Sequence, residues 1–167
     1  MALAFATSYI PTTSAQVTRA SDNASMTGTN FSSWYNQGQG TWFVQARYNS
    51  QSFVSLLRGD GNMEWLGLYN NSSVLSTYNG TSLLLGLTSN TLANNKYAMT
   101  YTSNSRSLVG NGGTVTSDSN NAVGTTNNLF IGSGGGILAN ALNGWISKLM
   151  YYPQAITSAQ LQSLTGS

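Results

Sequence analysis

The sequence predicts an all-β domain in which two antiparallel sheets pack face to face, followed by a short C-terminal helical turn. Apolar and polar residues alternate with a period of two in many short runs. Clusters of Gly, Asn and Ser separate these runs at intervals of about ten residues. The length of 167 residues suits one such sandwich. We therefore predict a single domain over residues 1–167, with 1–15 as an extended N-terminal arm and 153–167 as the helical turn.

The predicted strands follow one another along the chain. In TWFVQARY (41–48) the alternation places Trp42 on one side and Phe43 on the other. The later runs are FVSLLR (53–58), EWLGLY (64–69), SVLSTY (73–78), SLLLGL (82–87), KYAMTYT (96–102), RSLVGNG (106–112), NLFIG (128–132) and GWISKLMYY (144–152). Segments such as GDGN (59–62) and NGG (111–113) join them, because Gly and Asn adopt positive φ at little cost.

One helical stretch is predicted, at 157–164 after Pro153. Thr157 or Ser158 can cap it, and Ile156, Leu161 and Leu164 can lie against the sandwich.

The four tryptophans receive two different interpretations. Trp42, Trp65 and Trp145 lie inside alternating strands, where a large ring usually fills the space between sheets, so we predict all three in the core. Trp34 lies in the loop-like stretch NFSSWYNQGQG, where packing on the rim of the sandwich is favoured and stacking on a sugar ring is the alternative.

The composition excludes several classes of function. Charged residues form 6 % of the chain, and its six Lys and Arg give a formal net charge of +2 without a basic run. We therefore predict no nucleic-acid partner. No apolar run reaches the length of a membrane span, so we predict no membrane partner. Cys and His are absent, which removes the commonest metal ligands, general base and thiol nucleophile. We predict that the protein is not an enzyme.

The four carboxylates, Asp22, Asp60, Glu64 and Asp118, offer little chemistry. Asp60 and Glu64 could flank a glycosidic bond, but Gly61-Asn62 between them is typical of a hairpin tip, so catalysis is disfavoured. Asp60, Asn62 and Glu64 offer oxygen ligands at alternate positions, which is partly similar to the pattern of a calcium-binding loop. The full loop pattern is missing, so a plain hairpin is favoured. No cofactor is predicted, and calcium at these three residues is a weak alternative.

Two stretches resemble known families. The segments KYAMTYTSNSRSLVGNGGTV, NNLFIGSGG and ALNGWISKLMYYPQAITSAQLQSLT resemble concanavalin A-like (laminin G-like) domains, which implies a jelly-roll sandwich. The positions that carry this resemblance are Gly144, Ile146, Leu149, Tyr152, Ile156, Ser158, Leu161 and Leu164. The stretch SYIPTTSAQVTRASDNASMTGTNFSSWYNQGQGTWFVQARY is similar to modules of bacteriophage tail, fibre and other virion proteins.

The second resemblance implies a bacteriophage virion structural protein. It would be a capsid decoration (cement) protein or a tail-associated surface subunit that acts by protein–protein contacts. Its partners would be other capsid or tail proteins, and it would assemble as a homo-oligomer, with a trimer expected, because the edge strands of an open sandwich need covering. Its location would be the virion surface, after synthesis in the cytoplasm of the host bacterium.

The alternative function is a carbohydrate-binding, receptor-recognition (adhesin) module of a phage tail fibre, which engages a host surface glycan. Aromatic stacking combined with amide hydrogen bonds holds neutral sugars. The residues that offer this combination are Trp34, Tyr35, Asn36, Tyr69 and Asn70. A glycan depolymerase is the least favoured reading, because neither the calcium loops of the lectins nor the Glu-x-Asp-x-x-Glu strand of the glucanases is present.

Overall fold

The fold is known from a computed structural model, which describes residues 24–49, 53–60, 63–69, 74–79, 81, 83–88, 93–119, 123–132 and 141–166. Within these residues the strands are β1 (Ala24–Thr27), β2 (Gly40–Tyr48), β3 (Val54–Arg58), β4 (Met63–Tyr69), β5 (Val74–Asn79), β6 (Leu83–Thr88), β7 (Asn95–Tyr101), β8 (Ser105–Gly110), β9 (Thr116–Ser119), β10 (Asn128–Ile131) and β11 (Gly144–Tyr152). The helices are α1 (Thr29–Ser32) and α2 (Ser158–Gly166). The predicted N-terminal arm lies outside the described residues.

The strands form two antiparallel sheets. The six-stranded sheet has the order β1-β10-β3-β4-β5-β6, and the five-stranded sheet has the order β11-β2-β7-β8-β9. The prediction of an all-β, two-sheet sandwich with a C-terminal helix is therefore confirmed. Every predicted run corresponds to a strand, whereas the sequence does not predict β1 (ASMT) and β9 (TSDS), because each is only 4 residues long and β9 has no apolar residue.

The main core lies between the sheets. From β2 it receives Trp42, Val44 and Ala46, as the alternation predicts, and all three are buried. They pack against Leu56 and Leu68 of the six-stranded sheet. Full burial of one such large apolar side chain contributes about 1.5–3 kcal/mol. The closure of the two sheets over this interior is the main source of stability.

A second, smaller core lies on the outer face of the five-stranded sheet. Phe43 and Val109 are buried there against Leu161 of α2. The helix begins with a capping box. The backbone N–H of Gln160 donates to the Thr157 hydroxyl at 3.3 Å, and the backbone N–H of Thr157 donates to the side-chain oxygen of Gln160 at 2.9 Å. The prediction of a capped helix against the sandwich is confirmed.

The core prediction is wrong for Trp145, which is 51 % exposed. The cause is a β-bulge at Ser147 in β11. Leu149 pairs with the inward-facing Val44, but after the bulge it is Ile146, not Ser147, that pairs with the inward-facing Ala46. One extra residue reverses the alternation, so Trp145 points outward.

Candidate functional site

The loop between β1 and β2 carries the first three residues of the predicted glycan site. It begins with α1, a single turn that Phe31 anchors, since this side chain is fully buried. The Phe31 ring stacks on Tyr35 with 4.6 Å between ring centroids. This packing places Trp34 at the outer end of an aromatic cluster.

Trp34 is held firmly and yet remains 37 % exposed. Its ring centroid lies 5.0 Å from that of Phe31, 5.4 Å from that of Tyr151 and 6.1 Å from that of Trp42, each in an edge-on arrangement. The indole N–H donates to the carbonyl oxygen of Asn30 at 2.8 Å. The polar atom of the ring is therefore satisfied by the protein, and the exposed remainder is an apolar surface in a fixed orientation.

Tyr35 lies beneath Trp34 and is buried, with 6 % of its surface exposed. Its hydroxyl accepts a hydrogen bond from the indole N–H of Trp65 at 3.1 Å. Burial raises the pKa of Tyr35 well above its ordinary value, so the hydroxyl stays protonated. Tyr35 has little ring surface to offer a ligand, and its role in the site is to support Trp34.

Asn36 is used by the protein itself. Its backbone N–H donates to the Tyr151 hydroxyl at 2.9 Å, and its carbonyl accepts from the Tyr101 hydroxyl at 2.6 Å. Its side-chain amide donates to the Pro153 carbonyl at 3.2 Å and accepts from the Gly38 N–H at 2.9 Å. The hydrogen bonds of Asn36 fix the loop after Trp34. Burial raises the pKa of the Tyr101 hydroxyl, one of its partners, far above its ordinary value.

Tyr69 and Asn70 stay predictions as glycan contacts. Tyr69 is the last residue of β4, but its side chain is not described, and Asn70 lies outside the described residues. The structure thus brings together Trp34, Tyr35 and Asn36, with only Trp34 offering a substantial exposed ring.

Asp60 lies in the hairpin between β3 and β4, as predicted, and forms hydrogen bonds with residues 126–128 at the start of β10. Its carboxylate accepts hydrogen bonds from the Thr126 hydroxyl at 3.0 Å, the Asn127 N–H at 2.8 Å and the Asn128 side-chain amide. Burial alone would raise the pKa of Asp60, but the bonds from Asn128, Asn127 and Thr126 outweigh it and hold the pKa below its ordinary value. This carboxylate is ionised and has a structural role.

The other predicted calcium ligands cannot be placed beside Asp60. Asn62 lies outside the described residues, and the side chain of Glu64 is not described, although its backbone pairs with Arg58 across β3 and β4. Among the described residues no three His, Cys, Asp or Glu side chains gather into a group that could hold a metal ion. Calcium at Asp60, Asn62 and Glu64 stays an untested, weak alternative to the plain hairpin.

Sequence reasoning missed a second surface, on the outer face of the five-stranded sheet. Trp145 is half-exposed there, and the Arg47 guanidinium lies 5.1 Å from its ring centroid. Lys148 and Lys96 occupy the same face, because strand pairing places Gln45 of β2 opposite both of them. We call Arg47, Lys96, Lys148 and Trp145 the cationic face. Its lysines lie on β7 and β11, more than fifty positions apart, so no local pattern could reveal it.

A shallow groove of about 300 Å³ lies between β11 and α2. Its lining residues are Tyr152, Ile156, Gln160, Ser163 and Leu164. Tyr152 lies on the same outward side of β11 as Trp145, since its register partner in β2 is Thr41, two positions before the outward-facing Phe43. The groove therefore continues the outer surface of β11 toward α2.

Comparisons with known proteins identify the fold. No family model and no curated protein sequence matches the chain. Among solved structures, the CBM40 of Ruminococcus gnavus IT-sialidase bound to α2,6-sialyllactose has a TM-score of 0.65 at 17 % identity, over 87 % of this chain and 97 % of that chain. The same CBM40 bound to α2,3-sialyllactose has a TM-score of 0.63 at 18 % identity, over 82 % and 88 %.

A Trypanosoma rangeli sialidase is a further match, with a TM-score of 0.62 at 15 % identity over 86 % of this chain but only 25 % of that chain. At these identities the likeness shows a shared β-sandwich fold.

None of the helices in the described part of the chain combines the length and apolar character that a membrane crossing requires.

Proposed function

We propose that this domain is a non-enzymatic carbohydrate-binding module. The observation that carries the proposal is the exposed, rigidly held indole of Trp34. The fold likeness supports it, because the CBM40 matches are carbohydrate-binding modules seen with sialyllactose. Of the functions that the sequence favours, the carbohydrate-binding alternative has this support, whereas the virion structural role has none from the comparisons.

The geometry around Trp34 suits a neutral sugar. An indole that neighbouring rings already hold loses little conformational entropy when a ligand covers it, so more of the contact energy appears as affinity. Ser33 precedes Trp34 in the chain and Gln39 lies five residues after it in the same loop; both side chains are exposed and can bond sugar hydroxyls. We call Ser33, Trp34 and Gln39 the rim site. The amide of Asn36, in contrast, acts by shaping the loop.

Binding without catalysis agrees with the carboxylates whose side chains are described. Asp60 accepts bonds from the segment 126–128, and Asp118 pairs with the buried Arg106. Both are committed to contacts within the fold, whereas glycoside hydrolysis needs two carboxyl groups that face one substrate.

Glycan-array screening of the full chain, followed by calorimetry on the best glycan, tests the rim site. Trp34→Ala should weaken binding at least about tenfold, which is about 1.4 kcal/mol. Trp34→Phe should retain part of the affinity, because a ring face remains. Leu83→Ala is the control, since Leu83 is exposed to a similar extent, 40 %, but lies on β6 at the edge of the six-stranded sheet. Equal affinities of Trp34→Ala and the unaltered protein, or no glycan bound at all, would contradict the proposal.

The setting that we propose is the surface of a bacteriophage particle, on capsid or tail, with host glycans as the target. This part rests on the resemblance of residues 8–48 to virion modules, and it includes contacts with neighbouring virion proteins and homo-oligomer assembly. Mass spectrometry of purified particles tests it. Detection of the chain in stoichiometric amount supports the setting, and its absence from mature particles would refute it.

A further inference from the structure

We propose that the cationic face is a second binding site, separate from the rim site, for glycan chains that carry carboxylates, such as uronic acid polymers. The proposal rests on the proposed carbohydrate-binding function and assigns a further surface and ligand class to it.

The three cations of this face act on one ligand because the strand pairing brings them together. Lys148, Gln45 and Lys96 form a row across β11, β2 and β7, so the two lysine backbones are about 10 Å apart at the usual strand spacing. Arg47 lies two residues along β2, about 7 Å from Gln45. These separations are close to the Debye length of about 8 Å at physiological salt, so the three potentials overlap.

Among the described residues, positive charge is concentrated on this face. It holds three of the six Lys and Arg, and the other three together with the four carboxylates sum to −1. In the part of the chain that the structure describes, no carboxylate neutralises it. Asp60 is bonded to 126–128, Asp118 pairs with Arg106 at the far edge of the sheet, and Glu64 is on the other sheet. An anionic ligand would supply the missing counter-charge.

Trp145 makes this surface a sugar site rather than a general anion site. The Arg47 guanidinium over its ring fixes the indole by a cation–π contact and leaves half of the side chain exposed. A sugar can cover the remaining apolar surface while its carboxylate pairs with the planar guanidinium fork. Three cations are too few to neutralise a long run of phosphates, which disfavours a nucleic acid.

The face is long enough for an oligosaccharide. The partners of Trp145 and the exposed Tyr152 in β2 are Arg47 and Thr41, six residues apart, so the two aromatic positions are about 20 Å apart at roughly 3.3 Å per residue. Lys148 lies between these two rings, and the groove beside α2 adjoins Tyr152. A linear chain could therefore contact an aromatic ring at each end and cations in between.

Calorimetry with tetragalacturonate tests the proposal on the full chain. The same oligomer with methyl-esterified carboxyls is the matched neutral probe. We expect the acid to bind, the ester to bind at least tenfold more weakly, and the affinity for the acid to fall as salt is raised from about 50 to about 200 mM. Trp145→Ala and Arg47→Gln should each weaken acid binding at least tenfold. Thr81→Asp, which makes the same change in net charge as Arg47→Gln on the exposed turn before β6, should change it less than threefold.

Four results would overturn the proposal. Acid binding that Trp145→Ala leaves unchanged, or that a single-stranded DNA oligomer reproduces with equal affinity, would mean charge attraction alone. Absence of acid binding while other glycans still bind through Trp34 would refute the second site and leave the rim site standing. Loss of acid binding in Trp34→Ala would show that only one site exists.

Discussion

Among the described glycines, Gly144, the first residue of β11, is the one at which an added Cβ would make the shortest contact. A Cβ there would lie 2.1 Å from the carbonyl oxygen of Arg47 and 2.6 Å from the Cα of Tyr48. Ordinary contact begins near 3.4 Å. Because the nearest atoms belong to the backbone of the paired strand, no rotamer change relieves the clash, and β11 must move away from β2 by about 1 Å.

The cost of Gly144→Ala follows from what that movement breaks. Gly144 pairs with Tyr48, and the Asn49 N–H donates to the Asn143 carbonyl at 2.9 Å just beyond this pair. Loss of two ladder hydrogen bonds at about 1 kcal/mol each, with strain from overpacking, gives a destabilisation of about 3 kcal/mol. For a domain of this length, that lowers the melting temperature by about 6–12 °C.

Thermal unfolding followed by circular dichroism measures the effect. Gly38→Ala is the matched control, because the nearest atom to its added Cβ is a side-chain oxygen of Asn36 at 3.5 Å. We expect its melting temperature within about 4 °C of the unaltered protein, since a tolerated Gly→Ala change alters stability by about 0.4–1 kcal/mol. Equal melting temperatures for the two variants would refute the argument from strand contact.

Two further predictions concern polar groups. Hydrogen bonds hold the pKa of Asp60 below its ordinary value of 3.8, so its contribution to stability is present above about pH 4 and is lost as pH falls through the folded pKa. Urea titrations from about pH 2.5 to 6 should show a drop in the free energy of unfolding of the unaltered protein that Asp60→Asn lacks. Parallel curves for the two proteins would contradict this prediction. The hydroxyls of Tyr48 and Tyr97 share a buried hydrogen bond of 2.7 Å. Tyr48→Phe and Tyr97→Phe should each cost about 1 kcal/mol in urea unfolding, and the double variant less than their sum; strict additivity would mean that this bond contributes nothing.

The local patterns of the sequence were sufficient for the elements and for one face of the sandwich. Alternation in β2 predicts Trp42 inside and Phe43 outside, and both are found so. Thr157 and Gln160 have the spacing of a capping box, and they form one. These features depend on neighbours within a few residues, which is why sequence reasoning reaches them.

The site depends on contacts between distant segments, which no local pattern encodes. The local pattern predicts Trp34 as a loop aromatic. The loop after it, however, is held by hydrogen bonds between the Asn36 backbone and the hydroxyls of Tyr101 and Tyr151, which are 65 and 115 positions away. Alternation alone predicts Trp145 inside, but a single bulge residue, Ser147, reverses the alternation and places it outside. The cationic face became visible only when the pairing of β11, β2 and β7 was known.

The uneven distribution of charge also bears on how copies of this chain can associate. Two copies that met through the cationic face would bring together six positive groups, and the described residues of that face offer no carboxylate to offset them. Like-charge repulsion therefore disfavours symmetric self-assembly through this face. Any symmetric oligomer would have to form through other surfaces, such as the edges of the six-stranded sheet at β1 or β6.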